Sequence, residues 1–170
     1  MKTLAFFALI TIVLLFAFKT VSAEHFHFYQ QIFHLKLDYR NVGELVKAGK
    51  YDWVHPDINA EHFHIALDKQ KEVDVFLIYF RGTKETETIF RDLGEIGLKP
   101  AGIRELLVFG EKYPDIQREI TVVALDINKE CYPALYGDRS HRELYLICKN
   151  NNWWNDFYWF ITIQKQSPSN

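Results

Sequence analysis

The chain has 170 residues, of which 48% are hydrophobic and 25% are charged, and its net charge at pH 7 is −2. This length and apolar content predict one globular domain with a hydrophobic core. The charge is close to neutral and no cluster of lysine or arginine forms a stripe, which argues against a nucleic-acid partner because phosphate binding needs such a surface.

The first 23 residues have the pattern of an export signal. Lys2 supplies a positive charge, residues 3–18 are small or apolar, and residues 19–23 form a short polar stretch that ends in the sequence VSA. Small residues at the last and third-last of these positions suit a signal peptidase, so we predict cleavage after Ala23 and a periplasmic or secreted mature chain. The alternative is an uncleaved segment in which residues 3–18 anchor the protein to a membrane.

The next segment, residues 24–40, is predicted to be a strand segment at the start of the mature chain. Residues 33–40 alternate between apolar and polar side chains, which is the period of a half-buried strand. Asn41 can cap a helix over residues 42–48, and Gly49 can end it.

The middle of the chain alternates between loops, strands and helices. Residues 51–58 contain a proline and predict a loop, whereas residues 73–80 are rich in β-branched and aromatic side chains and predict a strand. Two helices are predicted over residues 84–96 and 103–112, each with a terminal glycine or proline as a boundary signal. Residues 120–125 predict a short central strand.

The last third of the chain is rich in predicted strands. Three strand-like pieces lie near residues 132–136, 143–148 and 157–164, and the polar tail over residues 166–170 is predicted to be disordered. Residues 41–165 therefore predict a single α+β domain with two to three short helices and a mainly antiparallel sheet.

Three phrases of the sequence resemble a family of small uncharacterised bacterial proteins. The phrases are GELVKAGKYDWVHPDINAEHF, GLKPAGIRELLVFGEKYPDIQREITVVALD and WWNDFYWFITIQK, and the resemblance covers about residues 42–165. It implies no known activity and no catalytic residues. The closing strands look C-type-lectin-like or formylglycine-enzyme-like, which is an analogy of fold alone. The export signal is a departure from this family.

The sequence EHFH occurs twice and raises the possibility of a metal site. It places His25 and His27 near the predicted mature terminus, and His62 and His64 before the strand over residues 73–80. Four imidazoles can bind zinc or copper. A surface role for these histidines is the favoured interpretation, because no HExxH or CxxC motif accompanies them. We therefore expect no cofactor, with zinc or copper as the alternative.

The two cysteines, Cys131 and Cys148, both belong to the predicted exported part of the chain. An even number of cysteines in an oxidising compartment predicts one disulfide that closes a short loop. The alternative is a pair of buried thiols on neighbouring strands.

No residue pattern nominates a catalytic site. Ser140 and His141 are neighbours on a predicted turn and should point apart, the chain has no GxSxG motif, and its carboxylates form no glycosidase signature. An enzyme is therefore less favoured than a binding protein, although an unrecognised small hydrolase remains an alternative.

The sequence KNNNWWNDFYW combines aromatic and amide side chains in a predicted turn. The adjacent tryptophans cannot easily both be buried, and an exposed tryptophan beside asparagine suits a carbohydrate or a protein ligand. The alternative is a tryptophan that folds back over the core. We predict an exported binding module whose candidate residues are Trp153, Trp154, Asn155 and Asp156, with Tyr136 and His141 nearby.

Overall fold

A computed structural model describes residues 26–29, 31–65, 71–126, 130–148 and 153–165. The described residues form three α-helices, α1 (Val42–Gly49), α2 (Thr86–Glu95) and α3 (Ile103–Lys112), and a 3-10 turn over Ile116–Arg118. The strands are β1 (Phe26–Phe28), β2 (Phe33–Leu37), β3 (Trp53–Val54), β4 (Lys71–Phe80), β5 (Lys84–Glu85), β6 (Leu98–Pro100), β7 (Thr121–Val123), β8 (Cys131–Gly137), β9 (Arg142–Cys148), β10 (Trp153–Trp154) and β11 (Tyr158–Gln164). The predicted α+β class is confirmed.

Most of the strands join one sheet in which β4 and β11 are central. One edge of β4 pairs with β11, and its other edge pairs with β1 and β2, so the described part of segment 24–40 belongs to the sheet. The far edge of β11 pairs with β6 and β7, and the sheet continues through β8 and β9 to β3. Only the β11–β7 and β3–β9 pairs are parallel among the pairs that the structure describes.

The alternation of side chains along the strands gives the sheet two different faces. One face packs against α1 and α3, and we call it the two-helix face; its buried side chains include Leu77, Val122 and Ile161. The opposite face packs against α2, and we call it the one-helix face; its buried side chains include Ile78 and Phe160. Apolar residues on both sides of the central strands are therefore removed from water, which is the main stabilising contribution to the fold.

Helix α1 begins where the sequence predicts and ends one residue later. The Asn41 side chain accepts a hydrogen bond from the Glu44 N–H at 3.1 Å, and the Glu44 carboxylate accepts one from the Asn41 N–H at 2.8 Å, which is a capping box. At the other end the left-handed conformation belongs to Lys50, with φ of 50°, and not to Gly49. Gly49 is required for another reason: a Cβ there would overlap the ring of Tyr51.

The predicted disulfide is confirmed. Cys131 and Cys148 lie directly opposite each other on β8 and β9, and their sulfur atoms are 2.04 Å apart. The alternative of two buried thiols is thereby excluded.

The described residues contain no helix that is long and apolar enough to cross a membrane. The predicted export signal over residues 1–23 and the predicted tail over residues 166–170 lie outside the described residues. Both stay predictions of the sequence.

Candidate functional site

The one-helix face is uncovered at the end of the sheet formed by β8, β9 and β3. Four large aromatic side chains lie there, between 39% and 61% exposed, and we call them the aromatic face: Trp53, Tyr136, Tyr145 and Phe157. Single exposed aromatic residues are common on protein surfaces, but a contiguous group on one face is typical of a binding site.

The register of the strands positions this face. Tyr136 lies opposite Glu143 and Tyr145 lies opposite Ala134, so the two tyrosines occupy diagonal corners of a four-residue square. On the other side of β9, Trp53 also lies opposite Glu143, and the centroids of the Trp53 and Tyr145 rings are 5.8 Å apart. Side chains of alternate residues share one face of a strand, so all five project from the same side.

A cavity of about 250 Å³ opens between Tyr136, Tyr145 and Phe157. Ala134, opposite Tyr145 on β8, is fully buried at the base of this cavity. The cavity is lined by Thr121, Ala134, Tyr136, Glu143, Tyr145, Ile147, Phe157 and Tyr158.

Phe157 reaches this cavity from the turn between β10 and β11. The Asn155 side chain accepts a hydrogen bond from the Phe157 N–H at 3.1 Å, and the Asn155 carbonyl accepts one from the Tyr158 N–H at 3.3 Å. Asn155, predicted as a ligand contact, therefore shapes the turn. Asp156 lines a neighbouring cavity of about 320 Å³ that also contacts Tyr136.

The two adjacent tryptophans have different environments. Trp153 is 44% exposed and pairs with Glu85 across the β10–β5 ladder. Trp154 is 1% exposed, donates a hydrogen bond from Nε1 to Thr86 Oγ1 at 2.8 Å, and packs against Phe160 at 5.3 Å between ring centroids. The prediction of Trp154 as a ligand contact is therefore corrected, because its side chain is buried and packs in the core of the one-helix face.

His141 lies at the polar end of the aromatic face. Its Nε2 is 3.2 Å from Glu143 Oε1, and its Nδ1 is 3.6 Å from Asp52 Oδ2. Tyr136 and Glu143 are paired across β8 and β9, so the predicted residues Tyr136 and His141 both adjoin Glu143. Ser140 instead donates from Oγ to Asp138 Oδ1 at 2.9 Å.

Asp138 organises the turn that presents His141. The N–H groups of Ser140 and His141 and the Ser140 hydroxyl all donate to Asp138 Oδ1, at 2.7, 2.9 and 2.9 Å. These bonds favour the ionised carboxylate and hold its pKa below the ordinary value, the Ser140 N–H contributing most.

Arg142, the first residue of β9, lies between His141 and Glu143 in the sequence. Its side chain is buried on the two-helix face. Its guanidinium donates to the Gly49 carbonyl at 2.9 Å, to the Gly110 carbonyl at 2.7 Å and to Gln117 Oε1 at 2.9 Å. The two carbonyls belong to the last turns of α1 and α3, where the helix dipole is negative. Burial lowers the pKa of Arg142, while these two carbonyls and the nearby charges of Asp52 and Asp115 favour the charged guanidinium.

Tyr51 fills the space beneath this guanidinium. The Arg142 guanidinium carbon is 5.1 Å from the centroid of the Tyr51 ring, a cation–π distance. Burial raises the pKa of Tyr51 above its ordinary range. Gln117 links the Arg142 guanidinium to the candidate site. Its Oε1 accepts a hydrogen bond from Arg142, and its Nε2 donates one to the Tyr136 carbonyl at 2.9 Å.

Three of the four histidines of the alternative metal site, His27, His62 and His64, lie in the described part of the chain. The His27 ring stacks on Tyr79 with 4.8 Å between centroids, and its Nε2 accepts a hydrogen bond from Arg81 at 2.7 Å. His62 and His64 lie in the segment that precedes β4, and no group of three or more metal-ligating side chains occurs in the described part of the chain. His25 lies outside the described residues.

Comparisons with protein-family models, with curated proteins and with solved structures found no match for the chain. The resemblance to a bacterial family therefore stays a prediction of the sequence.

Proposed function

We propose that this protein is an exported binding module that holds its ligand on the aromatic face. The observation that carries this proposal is the gathering of Trp53, Tyr136, Tyr145 and Phe157 on one uncovered part of the sheet. Aromatic side chains of this kind contribute a large share of the binding energy at protein and carbohydrate sites, because they bury much area with little loss of side-chain entropy.

Two observations support export. The disulfide between Cys131 and Cys148 is of the kind that forms and persists in an oxidising compartment. The sequence of residues 1–23 predicts a cleaved signal. The mature chain would then begin at Glu24, shortly before the first described strand.

The ligand is a carbohydrate or a protein. The carboxylates of Glu143 and Asp52 lie 3.2 and 3.6 Å from the His141 ring nitrogens, at the polar end of the aromatic face, so the site has hydrogen-bonding groups next to stacking surfaces. Sugar hydroxyl groups and the donors of a peptide both suit this combination.

The proposal is tested by applying the labelled mature chain to arrays of glycans and of peptides. Tyr145→Ala and Phe157→Ala should each weaken the binding by about tenfold or more, the usual effect of removing an aromatic hot spot. Tyr39→Ala is the matched control, because Tyr39 is 59% exposed but follows β2 at the opposite edge of the sheet. Wild-type binding by both aromatic-face variants, or the same loss in the control, would overturn the proposal.

A further inference from the structure

We propose that the cavity between Tyr136, Tyr145 and Phe157 binds an alkylated ammonium group of the ligand. This inference rests on the proposed function and names the chemistry that the site recognises. It follows from the arrangement of the rings, from the charges around them and from the size of the cavity.

The rings stand apart, so that a small group can enter between them. Diagonal neighbours on an antiparallel pair are about 7–8 Å apart, and Tyr136 and Tyr145 occupy diagonal positions with Ala134 and Glu143 at the other two corners. Ala134 is fully buried, so the surfaces that a bound group meets between these positions are those of the exposed rings.

A further aromatic pair closes the side of the cavity that faces β11. Phe157 and Tyr158 line it there, with ring centroids 5.6 Å apart and ring planes at 89° to each other. Aromatic side chains thus meet a bound group from several directions, and Ile147 adds a further apolar wall.

The charges around the cavity are negative. Glu143 is the only charged residue among the described residues that line it. The neighbouring cavity shares Thr121, Tyr136 and Phe157 with it and adds Glu119 and Asp156. The His141 ring adjoins the Glu143 carboxylate, with 3.2 Å between Nε2 and Oε1. No lysine or arginine of the described chain lines either cavity, so the charged lining residues are all acidic and favour a cation over an anion.

An alkylated cation fits these walls better than a bare ammonium ion. The faces of aromatic rings attract cations, with about 0.5–2 kcal/mol for each contact. A primary ammonium group carries tightly bound water and needs several strong acceptors to replace it, whereas the lining offers one carboxylate beside the neutral hydroxyl groups of Thr121 and three tyrosines. Alkyl groups spread the charge and pack against Ile147 and the aromatic rings.

The size of the cavity limits the part of the ligand that enters it. A volume of about 250 Å³ lies below the usual range of about 300–1,000 Å³ for a pocket that encloses a whole drug-sized molecule. One substituent therefore enters the cavity, and the rest of the ligand lies across the neighbouring rings of Trp53 and Tyr145.

The test is a calorimetric titration of the mature chain with choline and with its uncharged isostere 3,3-dimethyl-1-butanol. Choline should bind at least about tenfold more tightly than the isostere, because only the charged ligand gains the cation–π and carboxylate interactions. Equal affinities, or no saturable binding of choline, would overturn the inference.

Variants of the residues that line the cavity test whether choline binds there. Glu143→Gln keeps the shape of the wall and should reduce the preference for choline over the isostere, whereas Tyr145→Phe keeps the ring and should retain that preference. Tyr145→Leu should weaken choline binding by about tenfold, and Tyr39→Ala should have no effect. Choline binding that Tyr145→Leu leaves unchanged would overturn the proposed location.

The two proposals fail in different ways. Array binding that depends on Tyr145 and Phe157, together with equal affinity for choline and the isostere, would overturn the alkylammonium inference and support the proposed function. Loss of both the array binding and the choline binding would overturn both.

Discussion

Gly110 shows how closely the residues around Arg142 are packed. A Cβ at this position would overlap the hydroxyl group of Tyr51 and would lie 3.0 Å from Leu135 Cδ2. The absence of a side chain thus allows Tyr51 to lie against α3 while the Gly110 carbonyl accepts its bond from Arg142. A glycine inside a helix normally lowers stability, and here the close approach of Tyr51 accounts for it.

We therefore predict that Gly110→Ala destabilises the protein although alanine is the better helix former. Overpacking of this kind costs about 1–3 kcal/mol, and the loss should appear as a lower urea midpoint with an unchanged slope. The matched control is Gly94→Ala in α2, where an added Cβ meets nothing within 4 Å. That control should gain about 0.5–1 kcal/mol, and a gain of similar size for Gly110→Ala would contradict the packing described for Tyr51.

Arg142 also shows what the sequence could reveal at this scale. It shares the inward side of β9 with Leu144 and Leu146, so a charged residue stands at a buried position of a strand. The alternation along β9 therefore predicts from the sequence that Arg142 is buried. It does not show which groups accept the hydrogen bonds of the guanidinium. The Gly49 and Gly110 carbonyls lie 93 and 32 residues away along the chain, and only the folded arrangement of α1 and α3 brings them together.

Among the elements, the longer helices and strands follow from local patterns. Helix α3 spans the predicted residues 103–112. The predicted strand over residues 33–40 is shorter in the structure: Phe33, Leu35 and Leu37 are buried in β2, whereas Tyr39 lies beyond it and is exposed. Short strands were missed because their partners lie far away in the chain. Trp53–Val54, predicted as part of a loop, becomes a strand only because β9 pairs with it.

The candidate site was predicted in part. The sequence nominates Tyr136 and His141, which adjoin Glu143 in the structure, but it does not nominate Trp53, Tyr145 or Phe157. Tyr145 carried a usable signal, because it alternates with the buried residues of β9 and must therefore point to the other face. Trp53 carried none, since its strand has two residues.

In the β10–β5 ladder Trp153 is exposed and Trp154 is buried, so replacing each tryptophan should have a different effect on stability. Trp154→Ala should destabilise the protein by about 3–5 kcal/mol, because it removes a large core side chain and its hydrogen bond to Thr86. Trp153→Ala should change the free energy of unfolding by less than about 1 kcal/mol. Urea denaturation of the two variants measures the difference, and equal losses would contradict the assignment of Trp154 to the core.

In the whole molecule, the sheet is covered unevenly. Two helices cover one face, while α2 covers only part of the other, which leaves β8 and β9 with an exposed side. Tyr136 of β8 and Tyr145 of β9 are thus exposed on this side, whereas residues on both sides of β4 and β11 are buried. The disulfide between Cys131 and Cys148 joins these same two strands.

Reduction of the disulfide should therefore lower the stability of the whole protein. The expected loss is about 2–4 kcal/mol, since the crosslink restricts the unfolded chain. Thermal unfolding with and without a reductant measures it, and a Cys131→Ser, Cys148→Ser double variant should be insensitive to the reductant. An unchanged melting temperature of the wild-type protein under full reduction would contradict this expectation.

The same crosslink also affects what a protease can do to the chain. The strands β8 and β9 are joined by the turn at residues 138–141 at one end and by Cys131–Cys148 at the other, so they belong to one covalent ring. A cut in that exposed turn opens the ring but leaves both fragments attached to each other. The nicked protein would migrate as one band without reductant and as two bands with it, and the aromatic face would keep its two strands side by side.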